Sequence, residues 1–448
     1  MDSPNPAVHH YHAAVTSSSD PTTTVDLPAL LAQPTSALRQ QALAEARELP
    51  PLADRDEILR SLVEPRLAGE GLARTGGILE LLPDGYGFLR SPAQDLLPSA
   101  LDAYISPAQV RRFDLQQGQW VEGLMRAPAR SERFFALVQV LAVQGKPLAQ
   151  RCQGLRFAAR TAVLPRTPLA PAATAPRWLR AASLLAPWCR GQRVLLSVPP
   201  AIDAARLLGE LAAALAATAA PPRLLVCLLD ARPEAVAPLR HTLADGGVEL
   251  LAATFEQTSA RQLQLAELAL ARAEREVETG ADVVLVLGSL SALAQHHQIA
   301  GSQSGRWLCP GLDSSAMHAA LRLFAAARQL EEGGSLTVIA TANDSESAFD
   351  RTLVAGLQRH AHSRLQFLDP NQPATGTAGV AVTSAAEPLL AIAGTATRPE
   401  DLVLSGDALV QLQARRARLL AIADPAQAYE RLLAAADGAA AVGTAAEA

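Results

Sequence analysis

The sequence predicts a multidomain α/β protein in which a small N-terminal helical bundle and a small OB-like β-barrel precede a RecA-like α/β domain. Three observations carry that prediction. A chain of 448 residues exceeds a single domain of roughly 100–200 residues, so two or three are expected. Between residues 76 and 146, five short runs of β-favouring residues are separated by turn signals, as in a small barrel. Beyond residue 186, wholly apolar runs alternate with Ala/Leu-rich helical stretches, which is how a mostly parallel sheet covered on both faces reads.

Residues 1–25 are rich in Ser, Thr, Pro and His without apolar periodicity, and a disordered tail is expected there. His9, His10 and His12 offer metal-capable rings, but a solvated tail is the reading adopted and no metal site is expected. Over 26–73 the apolar residues recur at helical spacing, with Asp26 placed as an N-cap before Leu27 and a second start near Asp54 and Asp56, which predicts the bundle. The barrel, 74–148, is built from the runs 77–81, 85–90, 103–105, 120–122 and 134–140. Residues 149–185, with the proline-rich stretch 165–176, read as a linker. The RecA-like domain, 186–425, has candidate strands at 194–198, 224–229, 283–287 and 336–340, each apolar throughout. The Ala-rich end, 426–448, is low in complexity and is expected to be disordered.

Charge narrows the function. The net charge is −5, so any grip on nucleic acid must be local rather than a bulk positive field. Lys146 is the one lysine among the 39 cationic residues; every role needing an ammonium group has a single candidate. Cys152, Cys189, Cys227 and Cys309 form no C-x-x-C pair, which argues against a disulfide framework and a structural zinc site. Without a signal pattern, and with its longest apolar run about half the ~20 residues that span a bilayer, the chain is expected to be cytoplasmic and free of membrane.

Tyr86 and Phe88 alternate in Asp84-Gly85-Tyr86-Gly87-Phe88-Leu89-Arg90, so on a strand both rings share one face. They are either barrel core or a platform for bases. The flanking glycines leave the rings open, and Tyr104 adds an aromatic from a second run, which favours stacking of single-stranded nucleic acid. Arg90 falls on the same face, able to hold a phosphate or a base edge. Residues 76–146 hold seven acidic and seven basic side chains, so no non-specific electrostatic grip is available.

At these residues the chain resembles the bacterial transcription termination factor Rho family. The resemblance runs from about residue 25 to 420. It is most specific in the segment just quoted, in Tyr104-Ile105-Ser106-Pro107-Ala108-Gln109-Val110-Arg111-Arg112-Phe113, and in Glu132-Arg133-Phe134-Phe135-Ala136-Leu137. It implies a cold-shock-type OB fold that holds pyrimidine-rich, preferably cytosine-containing RNA, contacted by Tyr86, Phe88, Arg90, Asp102, Tyr104, Arg112, Glu132, Arg133 and Phe134. Phe134 replaces a tyrosine of the family, losing a hydroxyl but not the ring.

The same resemblance exposes losses. A phosphate-binding loop needs glycines for close backbone approach, a lysine, and a Ser or Thr for magnesium. In Val198-Pro199-Pro200-Ala201-Ile202-Asp203-Ala204-Ala205, Asp203 replaces a glycine, Ala204 the lysine and Ala205 the threonine. Gly288 stands for the magnesium-organising Asp and Ala231 for the catalytic Glu, and the segment after Leu368 departs from the family's arginine-finger pattern. In the pore loops Arg306 replaces a lysine, and Phe349 stands where a basic residue is expected.

The reading is therefore a Rho-like single-stranded RNA-binding protein with a degenerate ATPase domain, needing no cofactor, in a homo- or hetero-oligomeric hexameric ring, with genuine Rho or RNA polymerase as further partners. Two alternatives stand beside it. One is a divergent but working RNA-dependent ATPase and helicase using ATP and magnesium, with Arg232 as its residual phosphate contact; the other is an RNA-binding oligomeric scaffold unrelated to termination.

Overall fold

The computed structural model describes residues 23–31, 33–67, 71–129, 131–151, 154–370, 388–398, 404 and 406–446. The tail histidines, Cys152 and most of the segment after Leu368 lie outside them. The described residues pack as two compact units: those up to Phe157 together with 247–251 and 267–279, and the remainder.

The first unit opens with strand β1 (Thr23–Asp26), helices α1 (Leu27–Leu31), α2 (Thr35–Ala44) and α3 (Arg55–Val63). Asp54 caps α3 as expected: it accepts from the Glu57 N–H at 2.8 Å while Glu57 accepts from the Asp54 N–H at 3.0 Å, a reciprocal capping box. The N-terminal helices expected from the sequence are present, and they share one core with the barrel. Leu38, Ile58, Leu59, Leu62 and Leu67 belong to the same hydrophobic cluster as Leu79, Leu89, Ile105, Val121 and Phe135 of the barrel. A segment of about 50 residues is marginal on its own, and here its helices bury their apolar faces in the barrel's core.

The barrel strands are β2 (Leu72–Leu81), β3 (Gly87–Arg90), β4 (Ala103–Ile105), β5 (Trp120–Arg126) and β6 (Phe135–Val143), with helix α4 (Pro107–Arg112) between β4 and β5. Their order β2-β3-β4-β6-β5 closes through β2–β5, with β4 and β6 parallel and the other pairs antiparallel. This is a five-stranded OB barrel without free edges, extended by β1 beside β2 and by β7 (Lys146–Pro147) beside β6. Residues 267–279 belong to this unit through Arg275, which donates to Gln116 Oε1 at 2.7 Å, and Arg272, which donates to Gln144 Oε1 at 3.1 Å.

Beyond Phe157, β8 (Ala162–Val163), helix α5 (Arg177–Leu185), β9 (Arg193–Val198), α6 (Ala204–Ala216), β10 (Arg223–Ala231), α7 (Pro233–Leu243), β11 (Glu249–Thr254), α8 (Ser259–Glu278), β12 (Asp282–Gly288) and α9 (Leu290–Ala300) follow in order, all in the second unit except residues 249–251 of β11 and 267–278 of α8. The hairpin β13 (Trp307–Cys309) and β14 (Leu312–Asp313), α10 (Ser314–Ala325), β15 (Arg328–Leu330), β16 (Ser335–Asn343), α11 (Ala348–Gln358), β17 (Ser363–Gln366), β18 (Ala396–Thr397), α12 (Gly406–Leu420) and α13 (Pro425–Ala446) complete it. The sheet order is β11-β10-β12-β16-β9-β17-β18, and β10, β12, β16, β9 and β17 run parallel. All four predicted strands are present, buried on both faces, in the RecA-like α/β arrangement expected.

Two boundaries are corrected. The linker ends early, because Arg177–Leu185 is helical and Trp178 within it is fully buried. The Ala-rich end is not structureless: Pro425–Ala446 forms α13, which buries Tyr429, Leu432, Leu433 and Ala436, and Asp437 pairs with Arg177 (2.9 Å) and Arg180 (2.7 Å) of α5. Alanine is the strongest helix former, and low complexity conceals that preference.

Candidate nucleic-acid interface

Strand register builds the aromatic face. Glu80 pairs with Phe88, and Phe88 with Tyr104, so these three side chains form one row across β2, β3 and β4 on the outer face, while Leu79 and Leu89 turn inward. Gly87 makes the approach of β3 to β2 possible, since a Cβ there would stand 2.5 Å from the Glu80 carbonyl oxygen. Gly85, at φ +83°, supplies the left-handed turn that starts the strand.

Phe88 is the hub. Its ring centroid lies 6.0 Å from Tyr86, 6.0 Å from Tyr104 and 4.9 Å from Phe134, each edge to face, and Tyr86 lies 5.5 Å from Tyr104. Phe88 is itself buried by these neighbours, Tyr86 and Tyr104 are half-buried, and Phe134 is 44% exposed. The rings are thus neither barrel core nor isolated; they form an outer layer with open faces at its rim.

Arg90 departs from expectation. It is buried, not free for a phosphate: its Nε donates to Glu80 Oε2 at 2.5 Å, its Nη1 donates to Asp102, and its guanidinium lies 5.0 Å from the Phe88 ring centre. Asp102 also accepts from the Ser99 N–H at 2.6 Å, yet burial outweighs its partners and pushes its carboxyl up to about 6. Glu80 escaped the sequence reading because a glutamate in Ile78-Leu79-Glu80-Leu81 reads as an ordinary strand residue; only the register reveals its partner. Glu132, Arg133 and Arg112 are exposed. Glu132 accepts two bonds from Arg126, at 2.6 and 2.7 Å, and one from the Ala129 N–H, and the Arg126 bonds hold its carboxyl down to about 2. Arg112 does not join the cluster; its guanidinium lies over Phe113 at 5.3 Å.

In the second unit the turn after β9 leads into α6 as the sequence suggested. Asp203 caps that helix, its Oδ1 accepting from the backbone N–H groups of Ala205 (3.0 Å) and Arg206 (3.2 Å). These are the donors a helix N-terminus offers to an anion. At the end of β12, a Cβ on Gly288 would lie 2.7 Å from Leu208 Cδ1 and 3.3 Å from Leu228 Cδ2, so leucine occupies the space of a larger residue. Ala231 is buried at the end of β10, and Arg232 is exposed at the head of α7. Arg306 is exposed before the β13 hairpin, followed by Trp307 and Leu308, 56% and 50% exposed; the sequence marked this stretch as a pore-loop segment but not the exposure of its apolar side chains.

Residues 75–149 match the family described as Rho termination factor, RNA-binding domain. Over 305 residues the chain is 36% identical to the transcription termination factor Rho of Rhodopirellula baltica, covering 67% of this chain and 59%, less than two thirds, of that protein. It is 34% identical over 365 residues to that of Chromobacterium violaceum, covering 80% and 83%, and 31% identical over 398 residues to that of Aquifex aeolicus, covering 85% of each. With a closed OB barrel preceding a parallel RecA-like sheet, and relatives aligned across both, the chain belongs to the transcription termination factor Rho family.

Proposed function

We propose that this chain binds single-stranded, pyrimidine-rich RNA on the aromatic face of its barrel, and that its RecA-like unit is a scaffold without ATP turnover, so that the protein acts in or modulates transcription termination. The observation that carries the binding half is the four-ring layer of Tyr86, Phe88, Tyr104 and Phe134. Stacking contributes on the order of 1–3 kcal/mol per base and requires no net positive charge, which suits a barrel with equal numbers of acids and bases.

The second half is supported by chemistry missing at each required position. The residues present do not fit a magnesium-bound nucleotide. Asp203 occupies two backbone donors and sets a carboxylate where polyphosphate would approach, at a cost on the order of a few kcal/mol for like charges about 4 Å apart. Ala204 carries no cation, Ala231 no carboxylate, and Leu208 fills the space beside Gly288. A hexameric ring mixed with genuine Rho, or competition for its RNA, then follows as the mode of action.

The test is ATP hydrolysis by the purified chain with and without poly(C), with RNA binding measured in the same samples. Binding without turnover is the expected result. RNA-dependent phosphate release that disappears in Arg232→Ala would replace this reading with that of a working, divergent terminator.

A further inference from the structure

We propose that Glu80 is a positioning residue for RNA, holding the Arg90 guanidinium so that it fixes the orientation of Phe88 and, through it, the whole aromatic layer. This rests on the RNA-binding reading above and adds a residue to it. A buried acid beneath a polyanion site needs a reason, because Coulomb's law alone makes it a liability. Glu80 is 2% exposed, Arg90 7% and Asp102 4%. Burying three ions costs several kcal/mol each before their pairing is counted, and apolar residues of similar volume commonly serve stability as well or better. Stability alone therefore does not account for the trio.

Geometry supplies the reason. A guanidinium held by one carboxylate can still swing on its flexible stem. Here Nε is held by Glu80 from β2, and Nη1 by Asp102 from the residue before β4, so two anchors on different nitrogens define its plane. That plane lies 5.0 Å from the centre of the Phe88 ring, within the range of cation–π attraction. Phe88 in turn touches Tyr86, Tyr104 and Phe134. The order set at Glu80 is thus passed through Arg90 to every ring on which a base would stack. Asp102 is faced by Arg90 from β3, by the Ser99 N–H and by Asp56 from α3, with Glu80 competing for the same guanidinium.

The experiment compares full-length wild type, Glu80→Gln and Glu80→Asp, with Glu122→Gln as a control. Glu122 is another buried carboxylate of the same barrel, paired with Arg74 at 3.1 Å and bonded by Trp120, with no part in the ring layer. Fluorescence anisotropy with labelled oligo(C) reads affinity against pH and salt; near-ultraviolet circular dichroism reads the order of the rings, and melting establishes that each variant is folded.

Positioning predicts that Glu80→Gln weakens oligo(C) roughly 5–20-fold although it removes a negative charge, with an unchanged salt dependence, since no phosphate contact is lost. Its pH inflection moves below that of wild type, because Asp102 then has Arg90 to itself. Glu80→Asp, which keeps the charge but retracts it, weakens binding as well and stands in if Glu80→Gln does not fold. Unchanged or tighter binding by folded Glu80 variants overturns the proposal. If wild type itself fails to bind, the RNA reading fails, and the dichroism of the variants still decides whether Glu80 orders the rings.

Discussion

Two acids stand at the two places where the proposed function puts a polyanion, and they are held in opposite ways. Glu80 in the barrel shares the Arg90 guanidinium with Asp102, and the trio sits beneath a face of neutral aromatic rings. Asp203 at the head of α6 accepts from two backbone N–H groups, donors of the kind a helix N-terminus offers to an anion. An acid is compatible with nucleic-acid binding when it is buried against a cation that supports a stacking surface. It is incompatible when it fills the anion's own place.

The comparison breaks most visibly at the rings. Replacing Tyr86 and Phe88 together by alanine removes two stacking faces, and oligo(C) affinity is expected to fall on the order of 100-fold or more. Anisotropy titration at fixed salt measures this; a loss under 5-fold would place the binding surface elsewhere. On the other side, Gly288→Asp, which places the acid that the resemblance implies, is expected to destabilise the chain by about 3 kcal/mol. The new side chain would meet Leu208 and Leu228 and bury a carboxylate without a partner. Chemical denaturation of the variant against wild type gives the answer.

How far the sequence reveals these sites depends on the distance over which each is built. Strand alternation placed Tyr86 and Phe88 on one face, and the four apolar runs of the sheet were legible because their burial is written into every residue. The Asp203 cap was legible as a substitution but not as a hydrogen-bond acceptor. The burial of Arg90 was not legible because it depends on Glu80 and Asp102, ten residues behind and twelve ahead, which meet it only through barrel register. The shared core of the helices and barrel, and the docking of the Ala-rich α13, likewise depend on packing partners that composition does not name.

Acid sharpens the contrast within the barrel itself, where two carboxylates are moved in opposite directions. Asp102 is raised to about 6 by burial, so the folded state holds its proton more tightly than the unfolded chain, whose carboxyl titrates near 3.8. The folded state then binds more protons between pH 4 and 6, and this group adds stability on acidification, on the order of 3 kcal/mol, fully present below the unfolded value and lost as pH rises through 6. Glu132, lowered to about 2 by Arg126, contributes above its ordinary value of 4.5 and loses that contribution as pH falls toward 2. Asp102→Asn should flatten the rise between pH 6 and 4, and Glu132→Gln the fall below it. Urea midpoints across this range measure both; identical profiles for Asp102→Asn and wild type would remove Asp102 as their source.

The smallest expected effect isolates the helix cap. Asp203→Ala leaves the N–H groups of Ala205 and Arg206 without their acceptor and should cost about 1 kcal/mol, whereas Asp203→Gly, which lets water reach them, should cost only a few tenths. The second variant asks more than stability. If Asp203 excludes anions by occupying those donors, removing it reopens the N-terminus of α6 to phosphate oxygens, although no lysine is present to strengthen the grip. Inorganic pyrophosphate at millimolar concentration should then raise the melting temperature of Asp203→Gly and leave wild type unmoved, because a ligand stabilises only the state that binds it. Equal shifts in the two proteins would show that the anion binds away from the turn, and that the carboxylate of Asp203 is a cap without being a barrier.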